Sequence, residues 1–124
     1  MLIVHKSKPT GKPIVSPLGM VLYELIGRDP NHGGTEHHSL AIVQIPPGKA
    51  SEPPHYHKFA EETYYILSGE GRMVIEKRAI QLRPGEACLI QPGEVHQIFN
   101  DSVDELEILV ICARAWRSDD SFYE

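Results

Sequence analysis

Apolar side chains along this chain come in short runs of about five to eight residues, rich in Val, Ile, Leu, Tyr and Phe and closed by Gly or Pro. The runs fall at 20–26, 39–45, 62–67, 72–76, 79–82, 86–90, 95–99 and 106–112. No segment sustains a 3.6-residue apolar period over three turns, so the pattern predicts strands rather than helices. Between the runs stand Gly27-Arg28-Asp29-Pro30-Asn31-His32-Gly33-Gly34, Pro46-Pro47-Gly48, Ser68-Gly69-Glu70-Gly71, Arg83-Pro84-Gly85 and Gln91-Pro92-Gly93, which are turn and loop compositions. Segment 11–17 is a further candidate, confined by its prolines to a sheet edge. So many short strands predict a sandwich or barrel, which manages its edges by closing up or by pairing two sheets.

Length and composition narrow this picture. A chain of 124 residues is one domain, 1–124, able to build a core without staples. Its 12 basic and 17 acidic residues give a net charge of −5, which leaves no basic footprint for nucleic acid. Met1-Leu2-Ile3-Val4 is too short an apolar stretch for a signal-peptide core, and no run reaches the length of a membrane span. The expectation is a cytoplasmic protein with no membrane and no nucleic-acid partner. Cys88 and Cys112 both sit in apolar runs and read as small hydrophobes with free thiols. The segment after Cys112 is polar, and its aromatics Trp116, Phe122 and Tyr123 are expected to dock on the domain or on a second chain.

The candidate chemistry lies in Pro53-Pro54-His55-Tyr56-His57-Lys58-Phe59-Ala60-Glu61-Glu62. Residues i and i+2 of an extended chain share a face, so His55 and His57 stand side by side, their Cα atoms about 6 to 7 Å apart. Two imidazoles so placed can converge on one ion. On a helix the same spacing would separate them, and the two prolines oppose a helix here. Glu62 opens the next run and can add a carboxylate; Glu61 takes its place if the intervening turn is shorter. His37 and His38 are adjacent and face opposite ways in a strand, so they cannot chelate together. His5 and His32 fall in terminal or loop segments.

Local spacing does not connect a third imidazole to this set. A resemblance does. Segment 48–69 is similar to the first motif of the cupin family: Gly48, a gap, His55-x-His57, four residues, Glu62, six residues, Gly69. Segment 85–100 is similar to the second, with Gly85, Gly93, His96 and Asn100. The first gap is one residue longer than usual, and Gln91 stands where the family has Pro, with Pro92 one place on; both departures sit in turns. The resemblance implies an all-β cupin fold, a double-stranded β-helix or jelly-roll barrel, with His55, His57, Glu62 and His96 as metal ligands inside its open end. It also implies a homodimer and a structural role for Asn100.

Ligand chemistry sets further expectations. Imidazole and carboxylate together suit several divalent transition metals, with Fe or Mn first and then Ni, Zn and Cu. Four protein ligands close a tetrahedral Zn site but leave two open positions on an octahedral ion. The open case fits a metal-dependent enzyme acting on a small oxygen-rich metabolite, and the resemblance implies a dioxygenase, a decarboxylase, or an isomerase or lyase of sugars and their acids; the alternative is a non-catalytic ligand-binding or sensing module. Tyr64 shares parity with Glu62 and is the catalytic candidate, with Gln44, Tyr64 and Ile98 as candidate pocket residues. Arg72 and Lys49 could meet an anionic ligand, though solvated surface is the default for such residues.

Overall fold

The computed structural model describes residues 1–124. Eleven strands follow one another along the chain: β1 (Ile14–Val15), β2 (Val21–Ile26), β3 (Ser39–Ile45), β4 (His55–Tyr56), β5 (Glu61–Ser68), β6 (Gly71–Ile75), β7 (Arg78–Leu82), β8 (Ala87–Ile90), β9 (His96–Phe99), β10 (Leu106–Ala113) and β11 (Phe122–Tyr123). The only helical pieces are two 3₁₀ turns, Pro30–His32 and Ser118–Asp120. The apolar runs map onto β2, β3 and β5 to β10, and β1 is the proline-flanked edge strand.

Two antiparallel sheets face each other. One has six strands in the order β1-β2-β3-β10-β5-β8, the other five in the order β11-β4-β9-β6-β7. Period-2 alternation puts one side of each strand into the space between them. On β10, Leu106, Ile108, Val110 and Cys112 are buried and alternate with more exposed neighbours; on β5, Glu62, Tyr64 and Ile66 do the same. Ile45, Ile66, Met73, Ile90, Ile98, Leu106 and Ile108 form the driest part of the core, contributed by both sheets.

Alternation also corrects one sequence expectation. Ala41 and Val43 of β3 face inward, so Gln44 lies on the other side of that sheet, where its amide donates to Glu107 Oε2 at 3.4 Å. Ile98 is a fully buried core residue of β9 and does not line the cavity described below. Arg72 stacks on Phe99 and pairs with Asp101, and Lys49 is exposed. Asn100 is structural: its amide donates to the carbonyls of Ile45 and Asp104 at 2.8 Å, tying two loops together. Both cysteines are free, Cys112 buried and Cys88 half-buried.

The segment after Cys112 docks on its own domain. β11 pairs with β4, with Phe122 opposite Tyr56 and Tyr123 opposite His55, and Phe122 stacks on the Tyr56 ring at 5.5 Å.

Candidate metal centre

Three strands bring the expected ligands to one end of the space between the sheets. His55 of β4 pairs directly with His96 of β9 in the five-stranded sheet. Glu62 comes from β5 of the other sheet. His57 follows β4 by one residue, its carbonyl held by the Gly93 amide at 2.7 Å. The Gln91-Pro92-Gly93-Glu94 turn sets the entry to β9; the Glu94 amide reaches the Gln91 carbonyl, and Gly93 takes φ +87°. That is the glycine requirement of a Pro-Gly type II turn.

All four side chains are buried, Glu62 at 6% exposure, whereas Glu61 is exposed. The ambiguity between the two glutamates is thereby resolved by strand parity. The ligating atoms of His55, His57 and His96 lie within 4.8 Å of one another. Glu62 Oε1 is 3.1 Å from His57 Nε2 and 3.0 Å from His96 Nε2.

The outer nitrogens explain why the inner ones converge. His55 Nδ1 lies 3.0 Å from the Pro53 carbonyl, His57 Nδ1 2.8 Å from that of Asp120, and His96 Nδ1 2.9 Å from that of Glu94. A carbonyl oxygen only accepts, so each Nδ1 carries the hydrogen, and a ring in its neutral, metal-binding form turns an Nε2 lone pair inward. Backbone carbonyls that fix the tautomer in this way are the usual outer partners of metal-bound histidine. The inner atoms His57 Nε2, His96 Nε2 and Glu62 Oε1 are buried without an aligned hydrogen bond. Lone pairs facing a carboxylate at 3 Å repel unless a cation joins them. The donor set therefore fits a divalent transition metal, and buried His55, His57 and His96 could hold one.

Electrostatics point the same way. Burial, then the neighbouring His96, lowers the His55 pKa. Burial opposes protonation of His57 too, but Glu62 and the Asp120 carbonyl outweigh it and raise its pKa. Burial would raise the Glu62 carboxyl, yet His57 and His96 hold it well below the usual range. Without a metal, a proton on His57 supplies part of the missing positive charge. Metal uptake must displace it, so binding is expected to release protons and to weaken as pH falls through the range where imidazoles take protons. Calorimetry in buffers of different ionisation enthalpy measures that release; an affinity constant across this range would exclude His57 as a ligand.

Two residues at the centre gave no signal in the sequence. Asp120 is 6% exposed, and its carboxylate accepts from the backbone amides of Lys58, Phe59 and Ala60 at 2.8 to 3.3 Å. It thus holds the loop that follows His57 while its own carbonyl holds the imidazole. Cys112 lies directly across from Glu62 in the β10–β5 pairing, and its thiol donates to Glu62 Oε2 at 3.3 Å. Burial and the Glu62 carboxylate push that thiol far up, so it stays protonated and serves as a donor.

The centre opens onto a cavity of about 70 Å³ between the sheets. His55, His57, Glu62 and Tyr64 line it, with Met20, Leu22, Ala41, Val43 and Val110 as its apolar wall. Tyr64 is buried beside the cluster, its ring edge-on to His96 at 6.1 Å. His37 and His38 are exposed and outside the cluster. His32 pairs with Glu24 instead.

Comparison with known proteins places this architecture. The cupin domain family model matches residues 41–112. The chain is 31% identical over 109 residues to the uncharacterized protein MJ1618 of Methanocaldococcus jannaschii, covering 88% of this chain and 85% of that one. It is 35% identical over 72 residues to the oxalate-binding protein of Thermotoga maritima, covering 58% of this chain and 59% of the relative. The crystal structure of a predicted oxalate decarboxylase from Thermotoga maritima superposes with a TM-score of 0.77 at 26% identity, over 91% of this chain and 99% of the other. No helix here is long and apolar enough to cross a membrane. With the family model matching residues 41–112, more than half of the chain, and a solved relative superposing over 91% of it, the chain belongs to the cupin family.

Proposed function

We propose that this cupin is a metal-dependent enzyme acting on a small oxygen-rich metabolite, with one divalent transition metal held by His55, His57, Glu62 and His96. The observation that carries this reading is the inward convergence of three imidazole nitrogens and one carboxylate oxygen, each imidazole locked by a backbone carbonyl, at the wall of a cavity. Fe or Mn is the first choice, then Ni, Zn and Cu, because all accept imidazole and the first two favour six ligands. When bound, the ion would supply a Lewis acid and a template for two ligand oxygens.

The chain's own groups would complete the site. Burial, then the Glu62 carboxylate, raises the Tyr64 pKa, so its hydroxyl is a hydrogen-bond donor rather than a base. It is the candidate to orient a ligand oxygen beside His96. The apolar wall excludes water from the ligand's far side. A cytoplasmic homodimer belongs to the same reading; Tyr65 and Leu89, exposed on the neighbouring strands β5 and β8, offer an apolar face for it.

A second reading rests on the Thermotoga maritima relative, whose name describes binding only. In it the same centre captures a small chelating acid without turnover. Turnover of a panel of oxo acids, hydroxy acids, enediols, uronates and oxalate, with protein loaded with each metal in turn, separates the two. Conversion of any panel member supports the enzyme. Saturable binding with no conversion under every metal supports the binding module and overturns the enzyme.

A further inference from the structure

Two carboxylates besides Glu62 line the cavity, Glu24 and Glu52, and Glu52 already accepts from the Tyr123 hydroxyl. Glu24 on β2 lines the cavity together with Leu22 of the same strand and Met20 just before it, and no lysine or arginine is among the lining residues. Its side chain is 16% exposed. Glu24 Oε1 lies 3.0 Å from His32 Nδ1, and His32 Nε2 lies 3.0 Å from the Thr10 carbonyl. The carbonyl must accept, so Nε2 carries a hydrogen. A neutral ring would then turn an Nδ1 lone pair towards a carboxylate. A further proton between Nδ1 and Oε1 removes that clash, so the pair holds one transferable proton.

The backbone is arranged around this carboxylate. The β2–β3 register breaks between Glu24 and Ile26, and such bulges re-aim side chains next to functional sites. A Cβ at Gly27 would collide with the Glu24 carboxylate. Across the inner face of the six-stranded sheet, in strand order, stand Glu24 on β2, Ser39 on β3, Cys112 on β10 and Glu62 on β5, with Ser39 paired to Cys112 and Cys112 to Glu62. A polar row thus runs from the His32 pair to the metal centre. The Glu24 hydrogen bond raises the His32 pKa against the effect of burial, and the Thr10 carbonyl and Asp29 add to it. The titratable groups around the pair are Asp29 beside His32, and Cys112, Glu52, His55, His57 and Glu62 on the cavity that Glu24 lines; β1 and β3 bring none.

We propose that Glu24, positioned by His32, is the general acid–base of this cavity and exchanges a carbon-bound proton of an α-hydroxy carbonyl ligand that carries no phosphate at its far end. A phosphate there would meet a carboxylate and no cationic side chain. The proposal rests on the metal-enzyme reading above. In the step, the ligand's C–H bond breaks and its proton passes to the Glu24 carboxylate. The electron pair forms the C=C bond of an enediolate as the adjacent carbonyl oxygen takes the charge. The hydroxyl proton then moves to that oxygen, the carbonyl re-forms on the other carbon, and Glu24 returns its proton to the carbon that lost the carbonyl. The product is an isomer, and no oxidant or reductant is consumed.

Deuterium incorporation into α-hydroxy ketones and aldoses in D₂O, followed by NMR with Mn-loaded protein, tests this. Glu24→Gln is expected to lose exchange about 100-fold or more while keeping wild-type metal content and melting temperature. His32→Asn is expected to lose less and to shift the pH–rate profile, because the imidazole whose proton the Glu24 hydrogen bond holds is gone. Wild-type exchange in Glu24→Gln overturns the proposal and leaves the metal reading standing. An unmoved pH profile in His32→Asn overturns the positioning role of His32. No exchange by fully metal-loaded wild type on any α-hydroxy ketone or aldose overturns the proposal and leaves the enzyme reading to the turnover panel above, whereas a wild type that holds no metal fails at the metal site itself and takes the proposal with it. A readout without variants is the ring-proton titration of His32 in the metal-free protein: a midpoint above the ordinary 6.5 supports the shared proton, and one below it overturns the pair.

Discussion

His57→Ala is expected to take the protein from about one bound metal ion per chain to none after purification without a chelating tag, as elemental analysis would read it. The loss is large because His57 acts twice. Its Nε2 stands 3.1 Å from Glu62 Oε1 inside the cluster, and its Nδ1 is bonded to the Asp120 carbonyl, which joins the 113–124 segment to the ligand loop. Loss of an outer partner alone typically weakens a metal site about 10- to 100-fold, and loss of an inner nitrogen should exceed that. Equal metal in the variant and the wild type would sink the assignment. The fold itself is expected to survive, since the core residues of β3, β5, β6, β8, β9 and β10 pack without help from the site. Chelation of the wild type should then lower the melting temperature without unfolding the protein at room temperature. Unfolding on chelation would instead mark a structural zinc site.

Asp120→Ala is expected to cost about 3 to 5 kcal/mol of stability, because one carboxylate at 6% exposure serves the amides of Lys58, Phe59 and Ala60. Hydrogen bonds to a charged acceptor contribute about 1.5 to 3 kcal/mol each and do not add fully. For a domain of this size the loss corresponds to a fall in melting temperature of about 10 to 15 °C by calorimetry. The same change should weaken metal binding about 10- to 100-fold, since the loop it holds carries His57 on one side and Glu62 on the other. A variant with wild-type melting and wild-type metal affinity would show that the carboxylate is dispensable. Asp120→Asn keeps one acceptor oxygen and is expected to fall between the two.

What the sequence made legible follows from what is local. Short apolar runs marked β3 at its observed bounds, Ser39–Ile45, and most other strands to within a residue. The i, i+2 spacing of His55 and His57 predicted a shared face, and their rings do meet, centroids 5.2 Å apart. Parity is local, but which parity faces inward is not. That is why Gln44, chosen as a polar break in an apolar row, ended on the outer face, and why Glu61 and Glu62 needed the fold to tell them apart. His96 lies 41 residues from His55, a pairing no local rule could propose. Asp120, Cys112 and the Glu24–His32 pair escaped for the same reason: each acquires its role from partners that topology, not spacing, supplies.

The clamp of Asp120 on the His57 loop also has a consequence in time. His57 and the carbonyl that orients it are separated by 63 residues of sequence. At a synthesis rate of about 5 to 20 residues per second, the ligand loop waits roughly 3 to 13 seconds on the ribosome before its clamp exists. Glu62 and His96 are translated within that interval, so all four ligand residues exist before the scaffold that fixes one of them. An ion taken up by the finished site would therefore follow synthesis of residues 118–123, when the Asp120 carbonyl is in place to hold His57.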